Sequence, residues 1–373
     1  MTLRNFEAAK SLADLNRPRP VCSTSMVKGL VSTNPNGLSR RVVLGGLAAP
    51  AVLRATRVGA VDVRVLKVSH QFPASDGDKG DFRDRLLRRF AREVEARTNG
   101  ALKFEIFPAA SLLKSYAQFG ALKRGALDLS LVPTTYAGKD VPELNLTFMP
   151  AIVTNYEQAY RWRDAPIGRA LTRVLENNGV KVLTWIWQSG GIASRNAAVV
   201  TPPDIQGLRI RGGSREMDAM FKAAGGSTAD IPSNDIVVAM RAGAIDAAAT
   251  SSTSLLSFHV EQVSRFLTAA GGRSFFFIFE PILMSAQTFD GLTPEQRTIV
   301  TEVGAAMEPL GREGSIADDL AVADAFRKAG VAVSELDEDA LELWRKVAAA
   351  SAWKDFASRS PDLARFLDLA QSV

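Results

Sequence analysis

The chain has 373 residues, 46% of them hydrophobic and 23% charged, which gives room for two ordinary lobes and excludes disorder over most of its length. Its formal charge of +5 sits at one end: residues 1–60 hold nine Lys/Arg and two acids, leaving 36 of the 45 basic and 38 of the 40 acidic side chains for the remainder. That remainder offers no phosphate-neutralising excess, which argues against a nucleic-acid partner, and the single cysteine, Cys22, excludes an internal disulfide.

Ser39-Arg40-Arg41 precedes an apolar stretch, Val42 to Leu53, too short to span a bilayer and of the length of a signal-peptide core. An arginine pair before a Gly/Ala-rich segment matches a twin-arginine export signal, with cleavage expected after Ala60 in Val58-Gly59-Ala60. Residues 1–38 lack an apolar period and contain Pro18, Pro20, Pro35 and Gly37, so a disordered extension is expected there, with Met26 as an alternative start. The exported chain then carries no cysteine, which excludes thiolate zinc sites and a cysteine nucleophile. No later segment is apolar for long enough to cross a membrane as a helix.

Val63 to Ser69 alternates as a strand, and Phe82, Leu86, Phe90 and Val94 recur every four residues as a helix stopped by Asn99-Gly100. A strand at 102–106, a helix ending near Lys123-Arg124-Gly125 and a strand from Leu127 to Val132 follow, an alternation that predicts an α/β lobe with a largely parallel sheet. The segment Ala121-Leu122-Lys123-Arg124-Gly125-Ala126-Leu127-Asp128 is echoed by Ala239-Met240-Arg241-Ala242-Gly243-Ala244-Ile245-Asp246. Each copy reads as a helix closed by a left-handed glycine, a short strand and then a polar turn: Pro133-Thr134-Thr135-Tyr136 in one, Thr250-Ser251-Ser252-Thr253 in the other. The echo is either a common helix–Gly–strand connection or the mark of two similar lobes whose strand ends face each other. Thr293-Pro294-Glu295-Gln296 starts a helix with a capping box, and a break is expected near Pro309-Leu310-Gly311. Val331 to Val333 reads as a last strand before helices to the end.

Catalytic constellations are scarce. His70 and His259 are the only histidines; the first reads as a structural, hydrogen-bonded residue or a pocket residue, the second as a surface one. Neither a phosphate loop nor a nucleophile elbow is present, which argues against an enzyme. In Gly207-Leu208-Arg209-Ile210-Arg211-Gly212-Gly213, a strand runs into a flexible turn with both arginines on one face. They read either as solvated side chains or as a guanidinium fork for a carboxylate. Trp185 and Trp187 share a face as core or as an aromatic wall, and the run Ser274 to Pro281 is a buried strand from which one or two rings reach a cleft.

The chain from about Val65 to Phe356 resembles the solute-binding proteins of TRAP (tripartite, ATP-independent periplasmic) transporters, the DctP-like family. The resemblance is carried by Leu66-Lys67-Val68-Ser69-His70, Phe104 to Pro108 with Ser111-Leu112, Leu122 to Asp128, Pro142-Glu143-Leu144, Phe148-Met149-Pro150, Asp235 to Asp246 and Leu292 to Gln296. Its most specific part is Thr201-Pro202-Pro203-Asp204-Ile205-Gln206-Gly207-Leu208-Arg209-Ile210-Arg211. It implies an α/β, two-lobed periplasmic binding protein fold with a ligand cleft between the lobes and a helical C-terminal region. It implies lobe 1 over 61–190, with about 274–310 returning to it, and lobe 2 over 191–273, with about 311–373 packing on it. It further implies a small-molecule carboxylate as ligand, membrane permease subunits as partners, and Arg211 as the carboxylate clamp. The candidate site is Arg211, Thr250, Ser251, Thr134, Tyr136, Trp187, Gln71, Asn234 and Phe276, with no metal or cofactor.

Two departures from the family pattern narrow the ligand. Ala247-Ala248-Ala249 stands where many members have a glutamate, which disfavours a metal-assisted 2-oxo acid mode. Ile192 stands near the second arginine of sialate binders. The expectation is a monocarboxylate with an apolar or aromatic body, captured by a periplasmic receptor. A periplasmic sensor of the same fold and a secreted hydrolase or lyase are the alternatives.

Overall fold

The computed structural model describes residues 63–373; the expected signal peptide, its Arg40-Arg41 pair, Cys22, Met26 and the cleavage site at Ala60 lie outside the described residues. Twelve strands form two sheets. In chain order they are β1 (Arg64–His70), β2 (Leu102–Phe107), β3 (Leu129–Leu131), β4 (Val180–Thr184), β5 (Trp187–Ser194) and β6 (Arg209–Arg211). The others are β7 (Ser227–Thr228), β8 (Ala247–Ser251), β9 (Phe266–Ala269), β10 (Phe277–Phe279), β11 (Ile282–Ser285) and β12 (Ala332–Glu335). The first sheet runs β2-β1-β3-β11-β4, parallel among its first three strands and antiparallel about β11. The second runs β12-β9-β5-β8-β6-β7, with β10 also on β5.

The internal echo is structural. Gly125 and Gly243 both take φ of 69° and close their helices by the same pair of backbone bonds. The aspartate after each then caps a neighbouring strand: Asp128 accepts from the Lys67 amide at 2.8 Å, and Asp246 from the Arg209 amide at 2.9 Å. One short carboxylate thus fixes the same register in both sheets. The ends of β3 and β8 lead into the two polar turns, beyond the carboxyl ends of parallel strands, where open α/β sheets bind ligands.

Three connections join the sheets. Trp185-Ile186 links β4 to β5 and Glu280-Pro281 links β10 to β11; the Glu280 amide donates to the Ile186 carbonyl at 2.9 Å, so the two crossings are paired. By sheet membership the chain changes lobe at 185–186 and returns at 280–281, so β5 from Trp187 and β10 belong to the second sheet. The third connection is the 35-residue helix Pro294–Lys328, which lies along both sheets. Its capping box forms as expected, Thr293 with Gln296.

The expected break at Pro309 does not occur, and the helix is continuous. Proline removes one hydrogen bond, while the glycines around it seat the helix: a Cβ at Gly304 would lie 2.5 Å from the Leu183 carbonyl, and one at Gly314 would lie 2.7 Å from the Phe82 ring. Thr184 Oγ1 adds a bond to the Gly304 carbonyl at 2.8 Å. The C-terminal helices pack on both lobes. Trp344 stacks on Phe275 with centroids 4.6 Å apart, Trp353 donates to the Pro150 carbonyl, and Pro361–Gln371 meets the helix Pro166–Asn177.

Candidate functional site

Between the sheets lies a small, tightly closed cleft, walled by Pro133, Thr135, Tyr136 and Phe148 from one side and Arg211, Ser233 and Thr250 from the other, with Ile278 and Glu280 at the crossing. Arg211 ends β6 and is 2% exposed. Its Nε donates to the Ile231 carbonyl at 3.0 Å, Nη1 to the Ala249 carbonyl at 2.8 Å and Nη2 to the Tyr136 hydroxyl at 3.3 Å. A guanidinium has five N–H groups, so one remains on each terminal nitrogen. All three partners are neutral. Arg211 is a buried cation with no carboxylate partner among the described residues. Gly213, at φ 89°, lies against this group so closely that a Cβ would overlap Nη1. Burial pushes the Asp218 carboxyl near it up to about 6, against the pull of Lys222 and Arg211.

Tyr136 bridges the lobes. Its hydroxyl receives Arg211, the Ser233 amide at 3.0 Å and the Gln71 side chain at 3.4 Å. Two more bonds cross the mouth: Ser115 Oγ donates to Asn234 Oδ1 at 2.8 Å, and Tyr116 to Asp230 at 2.7 Å. The molecule is therefore in a closed arrangement.

A second buried cluster stands behind the cavity. Arg83 forks onto Asp81, Nε to Oδ1 at 2.9 Å and Nη2 to Oδ2 at 2.7 Å, and gives Nη1 to Glu280 at 2.9 Å. The Phe72 ring centroid lies 3.5 Å from its guanidinium. Arg83 also reaches Ser254 at 3.1 Å and Ser257 at 3.4 Å, in the helix after β8.

Of the residues expected from sequence, Arg211, Tyr136 and Thr250 line the cavity, and Gln71 touches it through Tyr136. Five lie elsewhere. Thr134 Oγ1 bonds Thr147 at 2.7 Å. Ser251 caps the helix after β8 by accepting from the Ser254 amide. Asn234 holds the mouth contact. Trp187 packs on Trp162 and Phe279, and Phe276 on Phe148 and Phe275, in the aromatic core. Phe148, remote from the turns that signalled the site, was not anticipated; Ser233, Ile278 and Glu280 were passed over in favour of the nearby Asn234 and Phe276, because spacing alone does not say which neighbour faces the cleft. His70 is structural: fully buried, it bonds Asp84 at 3.0 Å through Nε2 and accepts the Phe72 amide at Nδ1. His259 is exposed at a left-handed turn, and Arg209 is exposed and pairs with Asp246. Among the described residues no group of His, Cys, Asp and Glu has a metal-ligating arrangement, and no helix is long and apolar enough to cross a membrane.

Two α/β lobes joined by paired crossing strands around a buried, unpaired cation define the class of two-lobed solute receptors. Residues 80–360 match the family described as bacterial extracellular solute-binding protein, family 7 (DctP). A solute-binding protein of Albidiferax ferrireducens is 47% identical over 330 residues, 88% of this chain and 97% of that one. A crystal structure of a TRAP periplasmic solute-binding protein from Rhodoferax ferrireducens, with bound malonate, superposes with a TM-score of 0.81 at 49% identity over 82% of this chain and 97% of that one. The fold extends to an extracytoplasmic solute receptor of Bordetella pertussis binding pyroglutamic acid, at a TM-score of 0.73 and 20% identity over 83% of this chain and all of that one. The chain belongs to the DctP family of TRAP solute-binding proteins, which are binding proteins for transport and not enzymes.

Proposed function

We infer that this chain is exported to the periplasm, captures a small organic monocarboxylate and presents it to the permease subunits of a TRAP transporter. The observation that carries the reading is Arg211: a buried guanidinium bonded only to neutral groups, with two N–H donors to spare. A carboxylate supplies the missing charge and accepts both donors in parallel. One uncompensated cation calls for one carboxylate, and Phe148, Ile278 and Pro133 give the ligand body apolar walls. Malonate, bound by the 49% identical neighbour, is a dicarboxylate, so that neighbour supports a small organic acid and not the single-carboxylate reading. Closure and binding are one event: the ligand bridges groups of both lobes only when Tyr136 meets Arg211. The functional lobes follow the sheets, with the hinge at 185–186 and 280–281.

Titration of three variants tests the clamp. Arg211→Ala should lose on the order of 3–5 kcal/mol of binding, since an enclosed carboxylate is left without its counter-charge. Arg211→Lys keeps the charge and loses the planar fork, so affinity should fall clearly. Arg209→Ala, at an exposed pair with Asp246, should bind like the parent. Undiminished affinity of Arg211→Ala for the best organic acid in a thermal-shift screen would remove the clamp from this site.

A further inference from the structure

We propose that Glu280 is the second pole of the ligand site, holding a hydroxyl or N–H group at the end of the ligand opposite its carboxylate and disfavouring a second carboxylate there. The proposal rests on the monocarboxylate reading and adds its selectivity. Glu280 lines the same cavity as Arg211 although its side chain is only 3% exposed. Two donors, Arg83 Nη1 at 2.9 Å and the Gln188 amide, both end on Oε2. Oε1 has no partner among the described residues. The carboxyl is thus fixed in orientation with one oxygen left for the cavity.

Charge decides what that oxygen takes. Arg83 is already matched by a two-bond pair with Asp81, so Glu280 is the second carboxylate on one guanidinium and the trio of Asp81, Arg83 and Glu280 sums to −1. The other face of the cavity carries the unmatched Arg211. The site is therefore polarised, a cation at one end and an anion at the other. A ligand with a carboxylate at one end and a donor at the other satisfies both, whereas a dicarboxylate brings its second charge against Glu280. Burial pushes the Glu280 carboxyl up, while Arg83 and the Gln188 amide pull it back down and favour the anion.

The test is calorimetric titration with propionate, 3-hydroxypropionate and malonate, which share a three-carbon frame and differ at one end. The parent should bind 3-hydroxypropionate about tenfold more tightly than propionate or malonate, the scale of one hydrogen bond to a charged group. In Glu280→Gln, Arg83 and Gln188 hold the amide oxygen and turn the NH₂ to the cavity. The acceptor becomes a donor, which a hydroxyl can still meet as an acceptor, so the diagnostic change is that malonate should gain on 3-hydroxypropionate. These are ratios, so a partly unfolded sample does not alter them; if the variant does not fold, the parent series alone decides. The proposal is overturned if the parent binds malonate as tightly as 3-hydroxypropionate, if it binds none of the three at millimolar concentration, or if Glu280→Gln leaves the ratio of malonate to 3-hydroxypropionate as it was. Loss of all three ligands in Arg211→Ala with unchanged ratios in Glu280→Gln leaves the carboxylate clamp standing and removes only the Glu280 pole. If neither substitution changes binding, both readings fall.

Discussion

Two cavity residues differ in what their neighbours allow. Thr250, next to last in β8, stands on the cavity wall, and its hydroxyl is not committed to another group of the described chain, whereas Thr134 in the facing turn is spent on Thr147. Thr250→Val keeps the volume and removes the donor, so binding should weaken by about 1–3 kcal/mol if a ligand atom is left unpaired. A dissociation constant equal to the parent's would take Thr250 out of the site. Gly213 acts through Arg211. Its φ of 89° already disfavours any side chain, and a Cβ would enter the space of the guanidinium. Gly213→Ala should therefore cut affinity at least tenfold, on the scale of overpacking a fixed group. Unchanged binding would mean that Arg211 can move without loss. Arg211 stood out in the sequence as the strand-end arginine that closes the Thr201 to Arg211 run, and the clamp proposed for it came from the family resemblance, not from spacing. The glycine that positions it was legible only as a flexible turn, since its role depends on a close approach that spacing does not encode.

At the scale of elements, local periodicity was readable and long-range packing was not. Phe82, Leu86, Phe90 and Val94 are buried as their four-residue spacing requires, and Asp128 and Asp246 repeat one capping role in the two echoed segments. Pro309 misled because helix propensity is local, while the continuity of Pro294–Lys328 is fixed by strands distant in sequence. The mouth was likewise invisible: Ser115 and Tyr116 meet Asn234 and Asp230 across more than a hundred residues. These contacts join the two lobes and are expected to break when the cleft opens. Tyr116→Phe deletes one of them on a partly exposed surface, so affinity should fall by about two- to tenfold, with faster ligand release and little change in unliganded melting temperature. Stopped-flow release kinetics check this, and an unaltered release rate would show that the contact does not hold the mouth.

For the whole molecule, sequence indicated the two-lobed α/β class, and the lobe division it implied, at about 190 and 274, stands a few residues from the sheet crossings at 185–186 and 280–281. The crossing residues are apolar or bury an acid within otherwise regular strand patterns, so nothing in their composition announces a change of sheet. The N-terminal address is a separate matter that export assays decide. Arg40→Lys with Arg41→Lys should leave the precursor in the cytoplasm, because the export receptor reads the guanidinium pair. Normal periplasmic accumulation of that double variant would assign export to another route. Protein starting near Val61 should bind ligand as the full chain does.

The pairing of the two crossing segments, with the Glu280 amide on the Ile186 carbonyl, places one wall of the cavity at the fulcrum of the molecule. A fulcrum barely moves when the jaws swing. Glu280 can thus inspect a solute while the cleft is still gaping, whereas the Tyr136–Arg211 contact and the mouth pairs join one jaw to the other and engage only on closing. Discrimination at the pivot would act on the first encounter, before any work of closure is done, and a poorly matched solute would leave with the jaws never having shut.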